Sequence, residues 1–269
     1  MDCLYVDLDG TLLGPRGSLF SDADGGFTLS AARALQACDR AGAEVVVMTG
    51  RREPQAHEAA RMFGQRSFIY EAGCGVVLDG ERHVLPDGQD TTADGGPHAR
   101  MLDAGIPQLL LDRYAGRLEH HAPWHTDRVH SHLFRGLIDV QEANELLAAE
   151  GHDWVYLLDN GAIGRRMGDL EVTNVYHLMP HGTGKAAAVR FHLQAAGHDR
   201  SRCVAVGDSL EDMSVAEVVS RFFVVANGTA KDPGVARAAA ATANVRVTEG
   251  SMGDGVYQAV VETLARRGA

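Results

Sequence analysis

Short apolar runs rich in β-branched residues alternate with alanine-rich segments at both ends of this sequence, and this alternation constrains the fold more than any other feature. It is typical of βαβ units, in which parallel strands are joined by helices. The sequence therefore predicts an α/β core with a doubly wound, mostly parallel sheet. Strands are predicted at residues 4–6, 44–48, 67–70, 203–206 and 222–226.

The segments between these strands carry helix boundary signals. Ser30 is expected to cap a helix over residues 31–41 that Gly42 ends, and Glu53-Pro54 opens a helix to about residue 63, since proline is tolerated in a first turn. Further helices are predicted at residues 184–197, after Ser209 and at 252–266.

The middle of the chain does not follow this rhythm. It is richer in Pro, Gly and His, and it contains the stretch PDGQDTTADGGPH, a predicted hinge or surface excursion. The sequence predicts a small α+β domain at residues 84–180, inserted into a core formed by 1–83 and 181–269. Within the insertion, helices are predicted at residues 107–118 and 140–149, and strands at 153–158, 162–167 and 171–178.

Charge and cysteine content exclude several classes of protein. The chain has 25 Lys and Arg against 36 Asp and Glu, a net charge of -11 that offers no general attraction for nucleic acid or an anionic membrane. Its four cysteines form no CxxC pair, so buried, reduced thiols are expected. No signal sequence is recognisable, and no run approaches the ~18 apolar residues of a membrane span. We expect a soluble, cytoplasmic protein.

Two aspartates stand where the first predicted strand ends. Asp7 and Asp9 are two residues apart, so an extended backbone directs both side chains to one face, and Gly10 then permits a sharp turn. Two carboxylates this close repel each other unless a cation neutralises them or one takes up a proton. The alternative is an Asp-Gly turn in which both aspartates cap backbone groups.

A second acidic junction follows the strand at residues 203–206. Asp208 stands at the strand end, and Glu211 and Asp212 follow in the next segment. Oxygen ligands of this kind suit Mg²⁺, which combines a few carboxylates with water and substrate phosphate. A helix N-terminus that favours acids explains Glu211 or Asp212, but not an aspartate at both strand ends.

Two other junctions offer groups suited to an anion. Thr49 and Gly50 supply a hydroxyl and backbone N–H groups after the second strand, and Lys185 lies in the first turn of a helix. Opposite a magnesium site, such groups form a cradle for phosphate. The stretch HGTGK lacks the glycine and the Ser or Thr that a Walker A loop requires, and a solvated lysine is the alternative for Lys185.

The segments DLDGTLL, VVVMTGR, GTGKAAAV and VGDSLEDMSV together resemble the four ordered motifs of the haloacid dehalogenase superfamily. The resemblance covers about 170 residues on both flanks of the insertion. An insertion between the threonine and lysine motifs is similar to the C2 cap of Cof-type, mannosyl-3-phosphoglycerate and sucrose-phosphate phosphatases. The resemblance implies a Rossmann-like core with a C2-type cap.

The resemblance also implies roles for the residues in these motifs. Asp7 becomes the nucleophile that forms an aspartyl phosphate, and Asp9 the general acid and then the general base. Asp212 has a supporting role, and Glu211 departs from the asparagine usual in Cof-type enzymes, which leaves open whether it ligates metal. The implied Mg²⁺ ligands are the Asp7 carboxylate, the Asp9 main-chain carbonyl and Asp208, and the implied phosphate-binding residues are Thr49, Gly50, Lys185 and Asn227.

Substrate recognition is the least constrained part of the prediction. Three arginines are candidates for substrate specificity: Arg51, and Arg165 and Arg166 on a predicted strand of the insertion. The alternative for Arg165 and Arg166 is a solvated pair. Five histidines lie within HHAPWHTDRVHSH, residues 120–132. His121 and His125 have the spacing of a helical metal pair, but Pro123 opposes a regular helix, which favours structural or surface histidines over a substrate or metal site.

The predicted function is that of a Mg²⁺-dependent phosphatase acting on a phosphomonoester of a sugar or related small metabolite. A phosphomutase of the same architecture, similar to phosphomannomutases, is the alternative enzyme. A non-catalytic sugar-phosphate-binding protein and a phospho-receiver domain are more remote alternatives.

Overall fold

The computed structural model describes residues 1–86, 95–164 and 166–265. In this part of the chain, short strands alternate with helices. The strands are β1 Cys3–Asp7, β2 Glu44–Met48, β3 Phe68–Tyr70, β4 Gly75–Leu78, β5 Glu81–Val84, β6 Leu118–His120, β7 His132–Gly136, β8 Val155–Ile163, β9 Thr173–Pro180, β10 Cys203–Gly207, β11 Arg221–Val224 and β12 Val245–Val247. The helices are α1 Ser30–Arg40, α2 Glu53–Met62, α3 Gly96–Asp103, α4 Ile106–Arg113, α5 Val140–Ala149, α6 Lys185–Ala195, α7 Leu210–Met213, α8 Ala226–Lys231, α9 Pro233–Ala241 and α10 Met252–Ala265.

The chain divides into two compact units. One contains Met1–Arg82 and Lys185–Ala269, and the other contains His83–Gly184. The sequence places the corresponding boundaries after residues 83 and 180. No helix among the described residues combines the length and the apolar character that a membrane span requires.

The large sheet has the strand order β12-β11-β10-β1-β2-β3-β4-β5. Its pairs from β12 to β3 are parallel, and β4 pairs antiparallel with β3. The chain moves from β1 to β2 and β3 on one side, and later adds β10 to β12 on the other. The edge between β1 and β10 is therefore a topological switch point, the place where open α/β sheets bind ligands.

The two faces of β1 have different roles. Leu4 and Val6 lie in the hydrophobic core with Val45 and Val47 of β2, and α1 and α10 contribute to the same core. Cys3, Tyr5 and Asp7 alternate with them and face the other way, as the two-residue period of a strand requires. This alternation leaves the odd-numbered side chains of β1 available for polar contacts with α6.

The second unit contains the antiparallel sheet β6-β7-β9-β8. Its buried core includes Met101, Leu110, Phe134, Leu147 and Tyr176, drawn from helices and strands alike. The predicted fold class, a mostly parallel α/β sheet together with a separate α+β part, is confirmed.

Several local predictions are wrong in instructive ways. Leu29, not Ser30, is the N-cap of α1, and the Thr28 hydroxyl accepts a hydrogen bond from the Ser30 N–H at 3.2 Å. The strands β4 and β5 were not predicted, because β4 is only four residues long and β5 carries polar, largely exposed side chains.

The second unit differs most from its prediction. The helix expected over residues 107–118 ends at Arg113, and Leu118 begins β6. The two strands expected at 153–158 and 162–167 are one strand, β8, whose pairing with β9 shifts between Asp159 and Ala162. The polar residues at that irregularity break the apolar pattern without ending the strand. Much of the PDGQDTTADGGPH stretch and the last residue of the predicted 252–266 helix lie outside the described residues.

Candidate active site

The predicted site residues of the core stand at the carboxyl ends of neighbouring parallel strands. Asp7 is the last residue of β1 and is buried, Thr49 follows β2, and Asp208 follows β10. Asp7 lies opposite Met48 in the register of β1 and β2, so Thr49 follows directly at the same edge. The fold therefore brings together three residues that are far apart in sequence.

Lys185 lies at the centre of this edge. Its Nζ donates to Asp7 Oδ1 at 3.0 Å and to Asp212 Oδ1 at 2.6 Å, and it lies 2.8 Å from Glu211 Oε2. Only 3% of its side chain is exposed. This burial excludes the solvated lysine that the sequence left open, and it places one cation among three carboxylates.

The short helix α7 holds Asp212 in position. Asp212 Oδ2 accepts from the backbone N–H groups of Asp208 and Ser209 and from the Ser209 hydroxyl, and the Ser209 hydroxyl accepts from the Asp212 N–H. This reciprocal arrangement is a capping box, which satisfies backbone donors at the start of a helix. Sequence reasoning missed Ser209, although a serine three residues before Asp212 was a visible capping signal.

The electrostatics of the site follow from burial and from repulsion between carboxylates. Burial raises the pKa of Asp7 well above its usual range, against the opposing effect of Lys185. Burial and the neighbouring Asp212 raise the pKa of Asp208 to about 6. Burial disfavours the Lys185 ammonium, but the nearby carboxylates outweigh it and hold the Lys185 pKa well above its ordinary value. The protein alone thus leaves the site with an excess of negative charge.

Glu211 gives a testable consequence of this excess. Burial raises its pKa from 4.5 to about 7, so folded metal-free protein keeps a proton that the unfolded chain loses at lower pH. The contribution of Glu211 to stability is therefore lost as pH rises from 4.5 to 7, and Glu211→Gln lacks this part of the loss. By urea unfolding in EDTA, we expect the variant to gain on the order of 2–3 kcal/mol relative to wild type between pH 4.5 and pH 8.

The control for this prediction is Glu217→Gln, because Glu217 is exposed and pairs with Arg190 on the surface. Its free energy of unfolding should follow that of the wild type across the same pH range. A Glu211→Gln variant that loses stability relative to wild type as pH rises would contradict the assignment.

The donor atoms of the site fit a divalent cation. Carboxylate oxygens of Asp7, Asp208 and Asp212 lie within 4.8 Å of one another. Hard oxygen donors of this kind are those that Mg²⁺ prefers. Glu211 does not belong to this group of donors in the described chain; it lies instead against Lys185.

Gly10 is required where the loop after β1 passes Asp208. Its φ is +86°, and an added Cβ would lie 2.8 Å from Asp208 Oδ2. Gly10→Ala is therefore expected to lower stability by about 1–2 kcal/mol through the left-handed conformation alone, and also to displace Asp208 and weaken the binding of Mg²⁺. Gly25→Ala is the matched control, because Gly25 has a φ of +83° with no atom within 4 Å of an added Cβ.

Thermal unfolding and calorimetric titration with Mg²⁺ distinguish the two effects. Both alanine variants should lose stability, but only Gly10→Ala should bind Mg²⁺ more weakly than the wild type. Equal Mg²⁺ affinities in the two variants would show that the contact with Asp208 has no role in metal binding.

Asp9 does not lie in the buried acidic cluster. Arg51 donates to both of its carboxylate oxygens, from Nε at 2.7 Å and from a terminal nitrogen at 2.6 Å, and 57% of the Asp9 side chain is exposed. The sequence predicts that the side chains of Asp7 and Asp9 converge on one face. They do not, because β1 ends at Asp7 and the backbone at Asp9 is no longer part of the strand. Arg51, predicted as a specificity residue, is the partner of Asp9 in this structure.

The side chains of Thr49 and Asn227 form hydrogen bonds with backbone groups. The buried Thr49 hydroxyl accepts from the Arg51 N–H at 3.2 Å. The Asn227 side chain donates to the Gly10 carbonyl at 2.8 Å and accepts from the Met252 N–H at 2.8 Å. Asn227 therefore joins the loop after β1 to the start of α10, which gives it a structural role that the sequence did not reveal.

Among the described residues, the candidates in the insertion do not form a site of their own. Arg165 lies outside the described residues, and Arg166 is exposed beyond the end of β8 rather than on a strand. The rings of His120 and His125 stack with centroids 4.9 Å apart. The described residues of the 120–132 histidine cluster include no group of three donors able to hold a metal.

The four cysteines, Cys3, Cys38, Cys74 and Cys203, are buried and free, as expected.

Lys231 was not predicted as a site residue, yet its charge acts on Asp208 and opposes the rise of the Asp208 pKa. It lies at the end of the helix that begins at Ala226, and sequence spacing alone gave no reason to connect it with Asp208.

Comparison with known proteins finds a family that part of this chain resembles. A family model described as haloacid dehalogenase-like hydrolase matches residues 171–259, which include both Lys185 and the Asp208 junction. The chain is 29% identical to a phosphoglycolate phosphatase of Pyrobaculum neutrophilum over 96% of its own length and 93% of the relative.

The chain is similar to the haloacid dehalogenase-like hydrolases. A phosphoglycolate phosphatase of Archaeoglobus fulgidus is 25% identical over 83% of each chain. A sucrose-phosphatase of Synechocystis, solved with sucrose and phosphate, has the same fold, with a TM-score of 0.67, 15% identity and 97% of each chain covered. The predicted resemblance to phosphatases of the haloacid dehalogenase superfamily is confirmed.

Proposed function

We propose that this chain is a Mg²⁺-dependent phosphatase that hydrolyses a phosphomonoester of a small metabolite through an aspartyl phosphate on Asp7. One observation carries the proposal: the buried Lys185 Nζ lies 3.0 Å from Asp7 Oδ1 at the switch point of the sheet, beside Asp208. A carboxylate and a lysine at this edge provide a nucleophile and a counter-charge for the phosphoryl group.

In the first step, a carboxylate oxygen of Asp7 attacks phosphorus and the bond from phosphorus to the substrate oxygen breaks. Lys185 reduces the repulsion between the Asp7 carboxylate and the anionic phosphate and holds Asp7 in place. Thr49 and Gly50 are proposed to bind the phosphoryl oxygens. Asp9 donates a proton to the leaving oxygen.

In the second step, Asp9 accepts a proton from water, and the water oxygen attacks phosphorus. The bond between phosphorus and Asp7 then breaks, which restores the carboxylate and releases inorganic phosphate. Both oxygens of Asp9 accept from Arg51 in this structure, so the proposed proton transfers require that pair to separate. Arg51 thus has a proposed role in positioning Asp9.

Asp7, Asp208 and the main-chain carbonyl of Asp9 are proposed to hold the metal ion. When bound, Mg²⁺ supplies positive charge to the phosphoryl oxygens during transfer. The buried carboxylates support this assignment, because Lys185 is the one cation within their group in the described chain and does not balance three acids.

The substrate class is proposed from chemistry and relatives together. The relatives that match most of this chain are phosphoglycolate phosphatases, which makes a small phosphorylated acid the first candidate. A sugar phosphate is the second candidate, and the sucrose-phosphatase of the same fold is its support.

Phosphate release from 2-phosphoglycolate and a panel of sugar phosphates, with Mg²⁺ and with EDTA, tests the proposal. We expect inorganic phosphate from at least one of these compounds and its loss in EDTA. Transfer of phosphate to another position of the sugar without release would indicate a phosphomutase. Release that is undiminished by EDTA would overturn the Mg²⁺ requirement.

A further inference from the structure

Four side chains of types that can bind a metal gather at the amino-terminal ends of β1 and β2, at the opposite end of β1 from Asp7. Cys3 begins β1, Glu44 begins β2, His192 lies on α6, and His198 follows that helix. One ligand atom from each residue lies within 4.8 Å of the others. Cys3 and Glu44 are also directly paired in the register of the two strands.

His192 is the residue whose environment points to a ligand. It is fully buried, and its Nε2 has no hydrogen-bond partner among the described residues. The nearest acceptor recorded for that atom is Glu44 Oε1 at 3.6 Å, too far for a good hydrogen bond. A buried ring nitrogen without a partner is unfavourable unless something else satisfies it.

Tyr5 contacts one of the four donors and lies on the same face of β1 as another. Its hydroxyl lies 3.0 Å from His192 Nδ1, and Tyr5 and Cys3 are two residues apart on β1, so their side chains point to one side of the sheet. When His192 Nδ1–H donates to the Tyr5 oxygen, Nε2 carries the lone pair that faces Glu44. Such a partner on the second ring nitrogen is the usual way in which proteins orient a metal-binding histidine.

His198 and Glu44 complete the group. His198 Nε2 lies 2.7 Å from Glu44 Oε2, so these two side chains already contact each other. Ligand atoms around a tetrahedral zinc ion lie about 3.3–3.6 Å apart, given its usual bond lengths. Small side-chain rotations therefore suffice to place all four donors around one ion.

The donor types separate this cluster from the active site. A thiolate, two imidazoles and a carboxylate suit Zn²⁺, whereas three carboxylates suit Mg²⁺. We propose that Cys3, Glu44, His192 and His198 bind one Zn²⁺ ion at the amino-terminal edge of the sheet. Binding converts the Cys3 thiol to a thiolate and releases its proton to solvent. Four protein ligands leave no open position, so the ion is structural and fastens β1 and β2 to α6.

Cobalt substitution tests this proposal, because Co²⁺ bound by a thiolate in a tetrahedral site is coloured. The full-length protein is stripped with a chelator and titrated with Co²⁺ in excess Mg²⁺. We expect one equivalent to produce a sulfur-to-cobalt charge-transfer band and tetrahedral d–d bands, both lost when Zn²⁺ is added. Absence of these bands in the wild type overturns the proposal and leaves a hydrogen-bonded histidine–glutamate network.

Variants identify the ligands. Cys3→Ser should lose the charge-transfer band, and His198→Asn should weaken Co²⁺ binding at least tenfold; because His198 is partly exposed, its replacement is the less disruptive of the two. Cys38→Ser is the matched control, since Cys38 is a buried free cysteine on α1 outside the cluster. A band that survives Cys3→Ser or is lost in Cys38→Ser contradicts the assignment.

Asp208→Asn separates the two metal sites. This variant should keep the cobalt spectrum while losing Mg²⁺-dependent activity. A cobalt spectrum lost with Asp208 would place the ion in the active site and overturn the proposal, whereas the proposed phosphatase function is tested by phosphate release alone.

Discussion

Asp7→Asn is expected to lower the rate of phosphate release by at least about 10³-fold, because a neutral amide cannot attack phosphorus in place of a carboxylate. The fold should persist. Asn has nearly the same shape as Asp, and Lys185 keeps Glu211 and Asp212 as counter-charges. Initial rates of phosphate release, with thermal unfolding of both proteins, measure the two effects.

Acid quenching during turnover provides a direct readout of the same prediction. Mass spectrometry should detect a phosphorylated peptide that contains Asp7 in the wild type and none in the variant. Asp39→Asn is the control, since Asp39 is an exposed residue of α1 and its replacement should leave both readouts unchanged. An Asp7→Asn rate within tenfold of wild type would exclude Asp7 as the nucleophile.

Lys185→Met is expected to lower stability by about 3–5 kcal/mol at pH 8, because it leaves Asp7, Glu211 and Asp212 buried without their cation. It should also lower activity by at least about 10²-fold, since Lys185 offsets the charge of the nucleophile. Urea unfolding in EDTA and initial rates with saturating Mg²⁺ measure the two losses.

The loss of stability should depend on pH in a defined direction. The Lys185 charge lowers the pKa values of Asp7 and Glu211, so its removal raises both further above their unfolded values. A carboxyl group with a raised pKa in the folded protein contributes stability that is lost as pH rises through that pKa. The Lys185→Met variant should therefore be closest to wild type near pH 5 and furthest from it at pH 8.

Lys231→Met is the matched control for Lys185→Met. Lys231 acts on Asp208 from an exposed position, so its replacement should change stability by less than about 1 kcal/mol. A Lys185→Met variant as stable as wild type at pH 8 would show that the three carboxylates are not ionised together.

The positions of Asp7, Asp208 and Lys185 were predictable, because strand ends and a helix start can be read from local patterns. Parallel strands bring their carboxyl ends to one edge whatever the details of the loops. The pairing of Asp9 with Arg51 was not predictable, because it depends on the direction that each side chain takes after its strand has ended. The structural role of Asn227 likewise depends on a loop approaching α10.

The second unit shows the limit of pattern reasoning in the fold. The strand β8 contains Asp159 and Asn160 in its interior, which read as a loop between two strands. Pairing with β9 resumes at Ala162 beyond this polar interval, and the Asn174 side chain donates to Asp159 beside it. Tertiary pairing of this kind has no signal within a single segment.

The alternation along β1 has a consequence for how this chain tolerates insertions and deletions. Tyr5 and Asp7 contact His192 and Lys185, which lie seven residues apart on the same face of α6. One residue added or removed within β1 would turn Leu4 or Val6 towards the helix and move a carboxylate or a phenol into the apolar core. Length changes should therefore accumulate in the loops of related sequences, while the five residues of β1 keep a fixed count.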